Sequence, residues 1–222
     1  MLFATARTVI AGSQTFDSSS GNFSMPAYNT LTVEIWGGGS SSVGQTNGST
    51  VNGNAGGATT CSTLSMTANG AAAGITIGTP PFTQPGAAGT ASGGNTTNTT
   101  GNVGDIGVSP GTTSPCTGAG APNGGGNVTT PSGANTNGTN GSTPGGGGSG
   151  VHFAASSGAG GSSGGYSKSV YTFGVTSGFP AIGALLAWAV GSGGAAAGTT
   201  PADALNQRSG AGANGRVKFT WS

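Results

Sequence analysis

The stretch from Gly37 to Gly165 constrains this chain most. It opens with Gly37-Gly38-Gly39-Ser40-Ser41-Ser42 and closes with Gly160-Gly161-Ser162-Ser163-Gly164-Gly165, and between them Asp105 is the only formal charge. Gly, Ser, Thr, Asn, Ala and Pro supply nearly everything else. Glycine loses more backbone entropy on ordering than any other residue. A glycine tract in an ordered protein therefore belongs where a Cβ would clash, and close packing of backbone against backbone is the usual reason.

Glycine occupies 49 of 222 positions, roughly three times its usual share of about 7%. Charged residues are 4% and the net charge is +1. Solvated disordered chains combine low hydrophobicity with high net charge. This chain has almost no charge to hold it open, so it orders through backbone hydrogen bonds or associates. Five Lys and Arg residues are too few and too scattered for counterion release on nucleic acid. No apolar run reaches the roughly 20 residues that span a bilayer. The N-terminus lacks a basic region followed by an apolar one, so no signal peptide is expected.

The apolar residues concentrate at the two ends. Thr8-Val9-Ile10 and Gln14-Thr15-Phe16 are β-prone, followed by a turn at Asp17-Ser18-Ser19-Ser20-Gly21 and a return strand Asn22–Met25. Thr30–Trp36 is the clearest strand, with Leu31, Val33 and Ile35 on one face. Tyr166–Phe173 and Arg216–Trp221 read as strands. So does Ala184–Val190, which is too short between Gly183 and Gly191 for a stable helix. Pro201–Gln207 suggests one helical turn. Glu34 and Lys218 are placed to meet across paired terminal strands. The expected fold is all-β: a small antiparallel β-sandwich built from residues 1–36 and 166–222, with residues 37–165 as a large, mostly irregular insertion lobe. Thr60–Met66 and Ile75–Ile77 are short strand candidates within it. Gly101, Gly104 and Gly107 are three apart, as are Gly86 and Gly89, but neither series continues. This excludes collagen and leaves short polyproline-II stretches packed side by side as a reading of the lobe.

The order of segments resembles the glycine-rich domain at the ends of tailed-bacteriophage tail fibres and in related virion adhesins and spikes. Leu31–Trp36 running into Gly37-Gly38-Gly39 carries the likeness, as do Gly56-Gly57-Ala58 through Ala68-Asn69-Gly70 and Pro144–Gly150. Gly164-Gly165-Tyr166, Ala189–Gly194 and Gly212–Val217 ahead of Trp221 complete it. The resemblance covers nearly the whole chain, with no shaft or attachment segment ahead of the domain. It implies a non-enzymatic virion protein that recognises a bacterial surface glycan or outer-membrane protein, released by lysis and attached to other virion proteins. The alternative is a capsid decoration or minor structural protein without receptor binding. A homotrimer is expected, since a chain poor in apolar residues gains by burying surface between copies.

No catalytic constellation emerges. The carboxylates are Asp17, Glu34, Asp105 and Asp203, with nothing to pair two of them as a glycosidase requires. His152 has no neighbouring acid or distinguishable nucleophile. No metal or cofactor is expected, since Cys61, Cys116 and His152 make too few ligands. Cys61 and Cys116 leave two readings open, a disulfide or two buried thiols. Trp36, Trp188 and Trp221 lie on strand segments and are assigned to core or sheet-face packing. Phe82, His152 and Phe153 interrupt the polar region. They are candidates for a receptor contact or for anchoring the lobe to itself or a neighbouring subunit.

Overall fold

The computed structural model describes residues 8–47, 49–77, 82–107, 116–131, 133, 135–152, 158–199 and 206–222. Two five-stranded antiparallel sheets face each other. The first runs in the order β1 (Gly12–Phe16), β14 (Arg216–Trp221), β3 (Thr30–Trp36), β12 (Tyr166–Thr172), β11 (Thr97–Thr99). The second runs β10 (Ala91–Ser92), β7 (Met66–Ala68), β6 (Thr59–Cys61), β13 (Leu185–Ala189), β2 (Ser20–Ser24). Two small hairpins stand apart: β4 (Gly44–Thr46) with β5 (Ser49–Val51), and β8 (Ile75–Ile77) with β9 (Phe82–Gln84).

Period-two alternation makes the core. Leu31, Val33 and Ile35 of β3 and Val217 and Phe219 of β14 are fully buried between the sheets. Phe23 from the second sheet stacks on Phe219 from the first, with ring centroids 4.4 Å apart, and Phe16 stacks on Trp188 at 3.9 Å. The turn after Phe16 does not close the hairpin that the sequence suggests. β1 pairs with β14 and β2 with β13, so the turn carries the chain from one sheet to the other. Crossing over lets Phe16 and Phe23 both reach the space between the sheets. Thr8-Val9-Ile10 forms no strand, and Ile10 is exposed.

Four strands come from the middle of the chain, β6, β7, β10 and β11, so the sandwich is not made from the ends alone. Conversely, residues 190–198 and 206–215 leave it for the glycine lobe. The boundary is a plane across the molecule rather than two points in the sequence. The strands run straight through it: β3, β7, β11 and β13 lead into glycine-rich segments, and β6, β10, β12 and β14 emerge from them. A strand and a polyproline-II helix are both extended, at about 3.3 and 3.1 Å per residue, so one passes into the other without a turn.

Twelve such segments, here called rods, fill the lobe. In chain order they cover residues 37–43, 52–58, 69–74, 85–90, 100–107, 116–121, 124–130, 135–142, 145–152, 158–165, 190–198 and 206–215. Their hydrogen bonds run between rods, and the partner recurs every third residue. Gly37 and Ser40 donate to Gly165 and Ser162, whereas Gly38 and Ser41 donate to Gly57 and Asn54. Gly39, between these pairs, donates to Ala213. Three residues per turn with no internal bonds is the signature of a polyproline-II helix. Burial has the same period on the outer rods, as at Gly86 and Gly89, or Gly191, Gly194 and Ala197.

The bonds define a close-packed bundle. Rods 1, 9 and 10 bond to one another and form the centre, and the other nine enclose them. The central rods are Gly-Gly-Gly-Ser-Ser-Ser-Val, Gly-Gly-Gly-Gly-Ser-Gly-Val-His and Gly-Ala-Gly-Gly-Ser-Ser-Gly-Gly, buried along their whole length. A Cβ on Gly147 would fall against the Gly161 and Ser162 carbonyls, and one on Gly148 against Gly210 and Ala211, both inside 3.0 Å. Buried serines fit because their hydroxyls bond the backbone. Ser41 Oγ accepts from Asn54 N–H at 2.7 Å, and Ser149 Oγ accepts from Thr139 N–H at 2.7 Å. Each outer rod is only two or three turns long before a loop resets the phase. This is why the glycine triplets in the sequence break off.

Three outcomes test this packing. Gly147→Ala and Gly148→Ala each destabilise by about 1–3 kcal/mol or more in denaturant unfolding, because the facing atoms are backbone and cannot step aside. Gly126→Ala, with nothing within 4 Å of the added methyl, leaves stability within about 0.5 kcal/mol. In hydrogen exchange, the amides of Gly37 to Ser41 exchange only with global unfolding, although they belong to no sheet.

Candidate recognition surface

The rods alternate in direction, so one end of each falls remote from the sandwich. Two stretches lie there, residues 44–47 with 49–51 and residues 75–77 with 82–84, together with the rod ends at residues 107, 116, 130, 135, 152, 158, 198 and 206. These two stretches contain the β4–β5 and β8–β9 hairpins, joined where Asn52 Oδ1 accepts from Thr76 N–H at 2.9 Å. Val51, Ile75 and Ile77 are among the exposed apolar side chains here, and Val103 and Ile106 are exposed on rod 5.

The opposite end of the sandwich is built differently. Phe173, Val175, Ile182 and Leu185 lie exposed around the β12–β13 connection. Phe173 packs on Phe179 at 4.8 Å and on Tyr28 at 5.6 Å. The molecule thus has an aromatic and aliphatic end around the β12–β13 connection and an end carrying the two small hairpins, held apart by the rods.

Between them, Trp36 closes the junction. It ends β3, is buried against Tyr166 at 5.0 Å and Ala121, and donates its indole N–H to the Pro122 carbonyl at 2.9 Å. The turn joining rods 6 and 7 is seated on it. Tyr166 donates its hydroxyl to Glu34 Oε1 at 2.7 Å. Burial first, then the adjoining carboxylate, raises the Tyr166 pKa well above its ordinary value. Glu34 does lie opposite Lys218, and opposite Lys168 on its other side. Its carboxylate is nonetheless bonded to Tyr166. The ion pair among the described residues is Arg216 with Asp17, bidentate at 2.5 and 3.0 Å.

Of the predicted contact residues, Phe82 and His152 fall on the described backbone. Phe82 begins β9 in the tip hairpin. His152 ends rod 9 and is 2% exposed, so its ring does not face an outside molecule. It ties the tip together from inside, with Nδ1 3.1 Å from the Gly133 carbonyl and its N–H donating to Thr136. Phe153 lies outside the described residues, as do Asp203 and most of the suggested turn at 201–207.

The cysteines are not bonded to each other. Cys61 is a buried thiol in the sandwich, opposite Met66 and Trp188 on the neighbouring strands. Cys116 begins rod 6 in the lobe, where its Sγ donates to the Ile106 carbonyl at 3.7 Å. The disulfide reading fails because the two belong to different packing units. Burial pushes the Cys61 thiol up to about 12, opposed by a backbone hydrogen bond at Leu64.

Among the described residues there is no cluster of three potential metal ligands, and no helix is long and apolar enough to cross a membrane. Asp17 is paired with Arg216, Glu34 with Tyr166, and Asp105 Oδ2 accepts from Thr117 N–H. Sequence reasoning missed the surface between rods 8 and 12, lined by Asn137, Asn140 and Arg208. The signal was present in Asn137-Gly138-Thr139-Asn140-Gly141, where both Asn and Gly repeat at the three-residue period. No protein-family model, curated protein or solved structure matches this chain.

The Cys61 thiol gives a pH test. The folded state keeps its proton to about pH 12, whereas the unfolded chain releases it near its ordinary value of about 8.5. Above that point the folded state binds more protons, so stability falls as pH rises, by up to about 1.4 kcal/mol per pH unit from this group. Denaturant midpoints measured from pH 8 to 11 decline, and Cys61→Ala flattens the decline.

Proposed function

We propose that this chain is a non-enzymatic virion structural protein of a bacteriophage or phage-like particle, an adhesin that recognises the bacterial surface. The supporting observation is the gathering of one end of every rod, remote from the sandwich, in a bundle whose interior is almost entirely backbone. Loops on such a support can vary in sequence without disturbing packing, which suits surface recognition. The order of motifs from Thr30 to Trp221 supports the same class.

The exposed apolar end around Phe173, Val175, Ile182 and Leu185 is suited to attachment to another virion protein, and the tip is then directed outward. The described carboxylates, Asp17, Glu34 and Asp105, are dispersed and occupied, which favours binding over polysaccharide cleavage. Assembly as a homotrimer belongs to this proposal.

The test is binding of labelled purified protein to candidate bacterial cells, in competition with intact particles. Saturable binding that blocks particle adsorption is expected, with Ile75→Asp together with Ile77→Asp in the tip hairpin weakening it about tenfold or more. A folded protein that binds no cells that the particles infect would instead assign it a decorating role on the particle.

A further inference from the structure

A second surface lies along the side of the lobe, away from the tip. Rods 8 and 12 run parallel, and Gly138 and Gly141 donate to the carbonyls of Arg208 and Ala211. The return bonds come from side chains. Asn137 Oδ1 accepts from Arg208 N–H at 2.7 Å, and Asn140 Oδ1 accepts from Ala211 N–H at 3.0 Å. Each amide is held by its oxygen, so its orientation is set: a backbone N–H needs an acceptor. The two NH2 groups are left as donors along a groove of about 240 Å³ lined by Asn137, Gly138, Asn140, Arg208, Ser209 and Ala211.

At about 3.1 Å per residue, the two amides repeat roughly 9 Å apart along the rod. Arg208 adds five donors and a positive charge. It is exposed, makes no ion pair among the described residues, and is the one Lys or Arg on the described rods. Asp105, the carboxylate described in the lobe, sits on rod 5, which borders rods 4, 6 and 10 rather than this groove. The groove thus offers donors at a repeat and one cation, with no aromatic or large apolar lining. It suits an extended chain rich in acceptors and carrying carboxylates, not a peptide side chain seeking an apolar pocket.

We propose that this groove binds an acidic glycan laid along the rod axis, with a uronate carboxylate on the Arg208 guanidinium and sugar oxygens on the Asn137 and Asn140 amides. The proposal rests on the adhesin reading and names the substrate class of a site separate from the tip loops. Arginine and carboxylate form charge-assisted, bidentate hydrogen bonds, which gives the groove its preference over neutral sugars.

The probes are trigalacturonate, trimannuronate and a hyaluronate hexasaccharide, with maltotriose as the neutral control. NMR titration of the intact chain is expected to move the Asn137 and Asn140 side-chain NH2 signals and the Arg208 Nε–H with at least one uronate, and not with maltotriose. Arg208→Gln weakens that binding about tenfold or more. Asn140→Asp weakens it while keeping an acceptor for the Ala211 N–H, so its fold is preserved. Absence of these shifts with every uronate, shifts confined to other residues, or equal binding by Arg208→Gln overturns the proposal. Cell binding separates the two readings. Wild-type protein that adsorbs to cells without any uronate effect at the groove leaves the adhesin reading standing alone. Uronate binding in the groove by a protein that adsorbs to no cells removes the adhesin reading and leaves the groove.

Discussion

Hydrogen bonding between backbones that lie too close for side chains is the interaction on which the rest of this structure depends. Ordering a residue costs about 1–2 kcal/mol of backbone entropy, and glycine lies at the high end. In most domains the burial of apolar side chains offsets that cost. In this lobe the central rods carry almost none. What they gain is a dense set of satisfied peptide groups and close van der Waals contact between neighbouring chains. Within the central rods a Cβ is accommodated where a serine hydroxyl or a small alanine fits, as at Ser41, Ser149 and Ala159, and at the rod ends, as at Val43 and Val151.

The sandwich sets the frame for this lattice. Its strands enter and leave the lobe without turning, so the spacing and direction of eight rods follow from the sheets. Trp36 and Tyr166 sit where the period changes from two to three, and Trp36 also seats rods 6 and 7, which have no strand of their own. The apolar core between the sheets therefore positions a lobe that lacks an apolar core. The consequence is a backbone-packed support with rod ends gathered at one end and repeated polar rows along its sides.

Much of this was legible one segment at a time. The alternation in Thr30–Trp36 and Arg216–Trp221 gave the central strands with the right faces inward. Gly183 and Gly191 were enough to make Leu185–Ala189 a strand rather than a helix. The three-residue spacing of Gly101, Gly104 and Gly107 is visible in the sequence, and its interruption, which excludes collagen, marks the end of a rod. The turn after Phe16 misled because local turn chemistry is the same whether the chain stays in one sheet or crosses to the other. The partners of Cys61, His152 and Asn137 were not legible, since each depends on residues up to 127 positions away or on a neighbouring rod.

The sequence by itself determined that the chain is all-β, that most of its apolar core comes from near its ends, and that the middle is a region of close backbone packing. These follow from side-chain size and local period, which every segment carries within itself. The tertiary structure alone decided which rods lie at the centre, which rod ends lie remote from the sandwich, and that Asn137, Asn140 and Arg208 line one groove. The physical reason is that a glycine backbone offers identical donors and acceptors at every turn. Its pairing is selected only when the sheets, the loop lengths and the few bulky residues have placed the rods beside one another.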